Sequence, residues 1–143
     1  MDLQEKYNEI FTKILDEYKA EYKELQARPD TDDYIQDTEK VFDLWEVEEA
    51  ISVIKDLIDS AEKLDSPEIV SKDFENKAKQ YYEESEHEAE YPTFHWNGDH
   101  YYYFVYRGRY RVYKRLSNEI KNPENNYFVI TTTATKPPPN SNS

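Results

Sequence analysis

The chain has no cysteine among its 143 residues, which excludes disulfides, thiolate metal sites and cysteine nucleophiles together. Glycine is nearly as scarce. The two present, Gly98 and Gly108, sit apart and precede no helix signal, whereas phosphate-cradling and dinucleotide-binding loops need several glycines in one turn. No apolar run approaches the roughly 18 residues of a membrane span. The first residues, Met1 to Lys6, show neither the basic nor the apolar region of a secretory leader. A soluble, cytoplasmic protein is the expectation.

Positive charge is also in short supply, and unevenly so. The whole chain carries a formal charge of −13. Residues 1–91 hold 28 Asp and Glu against 11 Lys and Arg, and residues 92–143 hold 3 against 7. A surface this negative repels nucleic acid and anionic lipid and attracts basic protein surfaces. Fourteen tyrosines and six phenylalanines supply much of the apolar mass, so the core must be aromatic, with many hydroxyls held at a wet boundary.

The first helix is expected from Leu3 to Ala27. Asp2 and Glu5 make a capping box, and Pro29 discourages helix at Arg28. Two stripes, Leu3-Tyr7-Ile10-Ile14 and Phe11-Leu15-Tyr18-Tyr22-Leu25, follow helical spacing. Residues 29–42 read as a solvated acidic connector, since the spacing fails a calcium loop at Tyr34, Ile35 and Val41. A second helix is expected to start near Asp43, with a seam of Leu44, Val47, Ile51, Ile54 and Ile58. Ser66-Pro67 opens a third, with Val70, Phe74, Ala78, Tyr81 and Tyr82 facing inward. Glu83, Glu84, Glu86, Glu88 and Glu90 crowd its last turns, where the macrodipole disfavours carboxylates, and fraying near Glu83 is expected.

From Thr93 the pattern reads as strands. Asn97-Gly98 is a hairpin signal; His100 to Tyr106 and Tyr110 to Leu116 flank a turn at Arg107-Gly108-Arg109, and Tyr127 to Thr133 makes a fourth strand. The expected fold is therefore α+β: three N-terminal helices packed on a four-stranded antiparallel β-meander, as one domain over 1–135, with a helical acidic part at 1–91, a sheet at 92–134 and a disordered tail at 136–143.

Two surfaces could carry function. One is acidic, combining Asp30, Asp32, Asp33 and Asp37 with Glu83, Glu84, Glu86, Glu88 and Glu90. The other is the sheet face, where Tyr101, Tyr103 and Tyr113 interleave with Arg107, Arg109, Arg111 and Arg115 as in single-strand-binding surfaces. The overall charge opposes the second, and those cations are better suited to neutralising the protein's own acidic helices or those of a sister subunit. His95 and His100 would face each other across the Asn97-Gly98 turn but lack a third ligand, so no metal is expected. No ordered motif supports a nucleophilic triad, and no cofactor is expected.

In size, acidity, aromatic richness and lack of catalytic motif the chain resembles the small inhibitor, immunity and anti-defence proteins of phages and mobile elements. That resemblance implies a non-enzymatic acidic protein-binding module acting as an inhibitor, which occupies a basic site, including a nucleic-acid-binding one that it would mimic, on a larger partner protein. Self-association as a homo-oligomer is a further arrangement, and membranes are not expected partners. The alternative is a nucleic-acid-binding module using the Arg/Tyr face.

Overall fold

In the computed structural model, which describes residues 2–60, 63–90 and 101–122, the chain forms four helices: α1 Leu3–Ala27, α2 Tyr34–Asp59, α3 Pro67–Ala89 and α4 Tyr101–Lys121. The α+β expectation is overturned. The described residues of the two central strands of the expected meander, 101–106 of 100–106 and all of 110–116, fall on the single helix α4, and no strand occurs among the described residues. The expected first and fourth strands, the Asn97-Gly98 turn and the 136–143 tail lie outside the described residues.

The physical reason is visible in α4 itself. Tyrosine, phenylalanine and valine favour strands only where they fit a half-buried pleated surface. Here Val105, Gly108, Val112, Leu116 and Ile120 are all buried, at spacings of three and four that place them on one helical stripe. Gly108 is no turn residue. A Cβ at this position would lie 2.5 Å from the backbone oxygen of Glu46 and 2.9 Å from Glu49 Cβ, so the absent side chain is what lets α4 touch the backbone of α2.

Helix ends follow local chemistry. Asp2 caps α1, its Oδ1 accepting from the Glu5 N–H at 2.8 Å, and α1 stops at Arg28, whose extended backbone precedes Pro29. The second helix begins at Tyr34, nine residues before the Asp43 start that the sequence suggested. Its cap is Asp33, whose Oδ1 accepts from Ile35 N–H at 2.9 Å and Gln36 N–H at 3.4 Å. Thr31 locks the approach, donating from both its N–H and its Oγ1 to Asp37 Oδ1. Much of the acidic connector is thus the capped first turns of a helix. For α3, Pro67 occupies the first turn as expected, while the Ser66 side chain makes no capping bond.

Pairings across the helices fix the topology. Along α4, Lys121, Ser117, Tyr113, Tyr110 and Arg107 meet Glu75, Ser71, Phe74, Tyr82 and Glu86 of α3, so α3 and α4 are antiparallel. Phe104 stacks on Phe42 with ring centroids 4.4 Å apart, and Arg109 reaches Glu49, so α2 and α4 run parallel. Two helical hairpins, α1–α2 and α3–α4, therefore pack with α4 lying between α2 and α3. One core joins all four, with Tyr7, Ile10, Phe11 and Ile14 from α1, Val47, Ala50 and Ile54 from α2, Phe74 and Ala78 from α3, and Val112, Leu116 and Ile120 from α4. Tyr7 satisfies its hydroxyl on the Asp65 carbonyl at 2.6 Å, and burial pushes its ionisation well above the ordinary phenol range.

Candidate functional site

The arginines of α4 reach all three other helices. Arg107, Arg111 and Arg115, four residues apart, lie along one face of α4, while Arg109 lies on the opposite side. Arg107 lies 3.9 Å from Glu86 of α3 and is sandwiched between the rings of Tyr82 and Tyr103, at 4.9 and 5.3 Å from their centroids. Arg109 donates to Glu49 of α2 at 2.7 Å and covers the ring of Tyr81 at 5.2 Å. Arg111 bridges Glu21 of α1 and Glu46 of α2, its guanidinium 5.1 Å over the ring of Tyr18. Arg115 pairs with Glu17 at 2.9 Å and with Glu119.

This network perturbs its members. Burial raises the Glu46 carboxyl above its ordinary range, with Arg111 pulling the other way. Burial raises Asp43 as well, with Arg28 opposing. Glu119 is held low, chiefly by the hydrogen bond from Lys13 at 2.8 Å. At the foot of the bundle Glu75 accepts from Lys121 at 2.6 Å and Lys72 at 3.0 Å, which brings its pKa down to about 2.

Of the seven residues of the expected Arg/Tyr face, four stay together and three do not. Tyr103, Arg107, Arg111 and Arg115 line one shallow groove of about 620 Å³, together with Lys114, Tyr110 and Glu46. Arg109 turns toward α2 and α3. Tyr113 is buried between Phe74 and Tyr81, and Tyr101 meets Trp45 edge-on at the start of α4. Each arginine of the groove already faces a carboxylate, so its charge is largely matched from within.

The acidic residues divide too. In the 30–37 segment, Asp33 caps α2 and Asp37 accepts from Thr31, Asp30 lies 3.5 Å from Lys40, and Asp32 is exposed. The 83–90 segment is not frayed: α3 continues through it to Ala89, with Glu90 as its C-cap. The dipole cost of a few tenths to ~1 kcal/mol per carboxylate is offset by packing, since Tyr81 stacks on Tyr106, Tyr82 packs on Tyr110, and buried Ser85 donates to the Tyr82 carbonyl at 2.7 Å. Glu84 accepts from Gln80 and Glu86 faces Arg107, while Glu83, Glu88 and Glu90 have no partner among the described residues. Both acidic segments lie at the end of the bundle where α4 begins, but on opposite flanks of α4, and so form two patches.

Sequence reasoning missed a third feature at that end. Tyr34, Ile35, Val41, Tyr101 and Tyr102 are exposed to 73, 67, 43, 44 and 61%, a density of exposed apolar side chains that a charged surface does not need. Its signal was the spacing Tyr34-Thr38-Val41-Trp45, legible once the helix is known to begin at Tyr34.

Among the described residues no three His, Asp or Glu side chains gather as a metal-ligand set; His95 and His100 lie outside them. No helix of the described residues is long and apolar enough to cross a membrane. Compared with protein families, with curated proteins and with solved structures, the chain matches none.

Proposed function

We propose that this protein is a non-enzymatic, acidic helical binding module that occupies a basic site on a larger protein, the mode of action of an inhibitor or immunity protein. One observation carries the reading: the four arginines of α4 are spent on Glu17, Glu21, Glu46, Glu49, Glu86 and Glu119 of the bundle itself. Four of the seven cations that made residues 92–143 basic are thereby engaged internally, and Lys121 is paired with Glu75 as well. Most of the net charge of −13 is then offered outward, where it steers a basic partner and repels polyanions. Exposed tyrosines beside acidic patches supply the apolar anchors and polar rim of a protein interface.

The test is capture of partners from the producing cells on the full-length chain, with identification by mass spectrometry and elution by salt. A protein with a basic surface is expected, released as ionic strength rises and lost when Asp30, Asp32, Glu83, Glu84 and Glu88 are changed to Lys. A low-micromolar single-strand affinity at physiological salt, abolished by Arg107→Ala with Arg115→Ala, would overturn the reading in favour of nucleic-acid binding.

A further inference from the structure

The exposed Tyr34 and Val41 of α2 share a strip with the half-buried Thr38 and Trp45, and exposed Ile35 flanks its outer end. Tyr34, Thr38, Val41 and Trp45 follow one another at intervals of four, three and four residues, which places them along one face of the helix. The strip spans about 17 Å at 1.5 Å per residue. Trp45 closes its inner end, edge-on to Tyr101 at 5.4 Å, and Tyr101 continues it to Tyr102 at 5.6 Å. Behind it Phe42 is buried and stacked on Phe104, so the strip stands on a rigid aromatic base. With Phe42 opposite Phe104 and the two helices parallel, Tyr34 lies about a turn and a half ahead of the first residue of α4. No other described helix covers that overhang, which is why Tyr34 and Ile35 are the two most exposed large apolar residues described.

The surroundings of the strip are acidic. Asp30, Asp32, Asp33, Asp37, Glu39 and Glu48 belong to the same stretch of chain, and its one lysine, Lys40, is engaged with the Arg28 carbonyl at 2.7 Å and with Asp30. A second copy of this chain would bring the same carboxylates into contact and be repelled. We infer that the Tyr34–Val41–Trp45 strip of α2 is the docking face for an amphipathic helix of a partner protein whose apolar anchors are bordered by Lys or Arg. A helix of about three turns matches the strip's length. Its anchors would cover the Tyr34, Ile35 and Val41 side chains, and its cations would meet the aspartates, the arrangement in which buried apolar contacts supply affinity and rim charges supply orientation.

The inference rests on the binding-module reading and is tested separately from it. The probe is a fluorescent synthetic peptide of about 18 residues, five helical turns, with Leu at i, i+3, i+4 and i+7 spacing and Lys elsewhere, titrated with the full-length protein at physiological salt. Binding is expected, and it should weaken about tenfold or more in Tyr34→Ser/Val41→Ser, whose exposed positions leave the bundle intact by circular dichroism. A peptide with Glu in place of Lys should not bind. Equal binding of a Leu-free Lys peptide, or undiminished binding by the double Ser variant, would refute the strip. A concentration-dependent dimer in sedimentation, broken by Tyr34→Ser, would assign the face to a second copy instead and likewise refute it. If the charge-reversal variants lose the cellular partner while the double Ser variant keeps it, the binding module stands and this docking face falls.

Discussion

Gly108→Ala is the sharpest structural perturbation available. In a solvent-exposed helix the change would stabilise by about 1 kcal/mol, because alanine is the better helix former. At position 108 the new methyl would sit 2.5 Å from the Glu46 carbonyl oxygen and 2.9 Å from Glu49 Cβ, where ordinary contact is about 3.5 Å. The nearer obstacle is backbone, which no rotamer change can move, so α2 and α4 must separate by roughly an ångström. Overpacking of this kind costs about 1–3 kcal/mol, and a clash with backbone belongs at the upper end. Subtracting the propensity gain leaves a net loss of about 2 kcal/mol, or about 5–10 °C in Tm for a domain of this size. Urea denaturation followed by circular dichroism measures it. Separation of the helices should also loosen Phe42 from Phe104 and shift the near-ultraviolet signal of the aromatic cluster. A variant more stable than the wild type would refute close contact between α2 and α4 at Gly108.

Arg111→Ala should cost about 1–3 kcal/mol at pH 7, since it strips the half-buried Glu46 of its cation while Glu21 loses its own partner. Burial already raises the Glu46 pKa, so lowering the pH protonates it in the folded state first; the deficit of the variant should shrink as pH falls toward the carboxylate range, as paired denaturation curves at neutral and mildly acidic pH would reveal. Ser117→Ala should cost about 1 kcal/mol by removing the buried hydrogen bond to the Ser71 carbonyl, 2.9 Å long, and thermal melts would detect it. Glu119 has a depressed pKa, so its contribution is present above the ordinary carboxylate pKa and disappears as pH falls through the folded value. Glu119→Gln should therefore cost under about 1 kcal/mol at neutral pH and progressively less in acid; a cost independent of pH would argue against the Lys13 and Arg115 pairing.

The first half of the fold was written in local signals. Asp2 and Glu5 marked the start of α1, Pro29 its stop, and the two stripes from Leu3 to Leu25 supplied its buried side. Ser66-Pro67 marked α3. The start of α2 was also present, as Asp33 followed three residues on by Gln36, but it lay in an acidic stretch that resembles a solvated loop. For α4 two cues competed. Aromatic and β-branched composition around Gly108 favours strands and a turn, while the spacing of Val105, Val112, Leu116 and Ile120 favours a helix. The second prevailed because the alternating pattern would have put Val105 on the face opposite Val112 and Leu116, and because tertiary contacts outweigh intrinsic propensity. Extension of α3 through four glutamates to a fifth at its C-cap has the same origin: Tyr81 and Tyr82 are held by packing on α4 that no local rule encodes. The role of the α4 arginines was partly legible, since a basic strip in so acidic a chain suggests internal neutralisation, yet the glutamates that Arg109, Arg111 and Arg115 meet on α1 and α2 lie 60 to 98 positions away.

The central question is which charge of the molecule is presented to partners. The most direct measurement compares, on the captured partner and over a range of salt, the wild type, a variant with Glu83, Glu84 and Glu88 changed to Lys together with Asp30 and Asp32, and an Arg107→Ala/Arg115→Ala variant. Weakened association and a flattened salt dependence in the acidic-surface variant, with little change in the arginine variant, is the predicted result; the inverse ranking would contradict the claim that this protein works through its acidic surface.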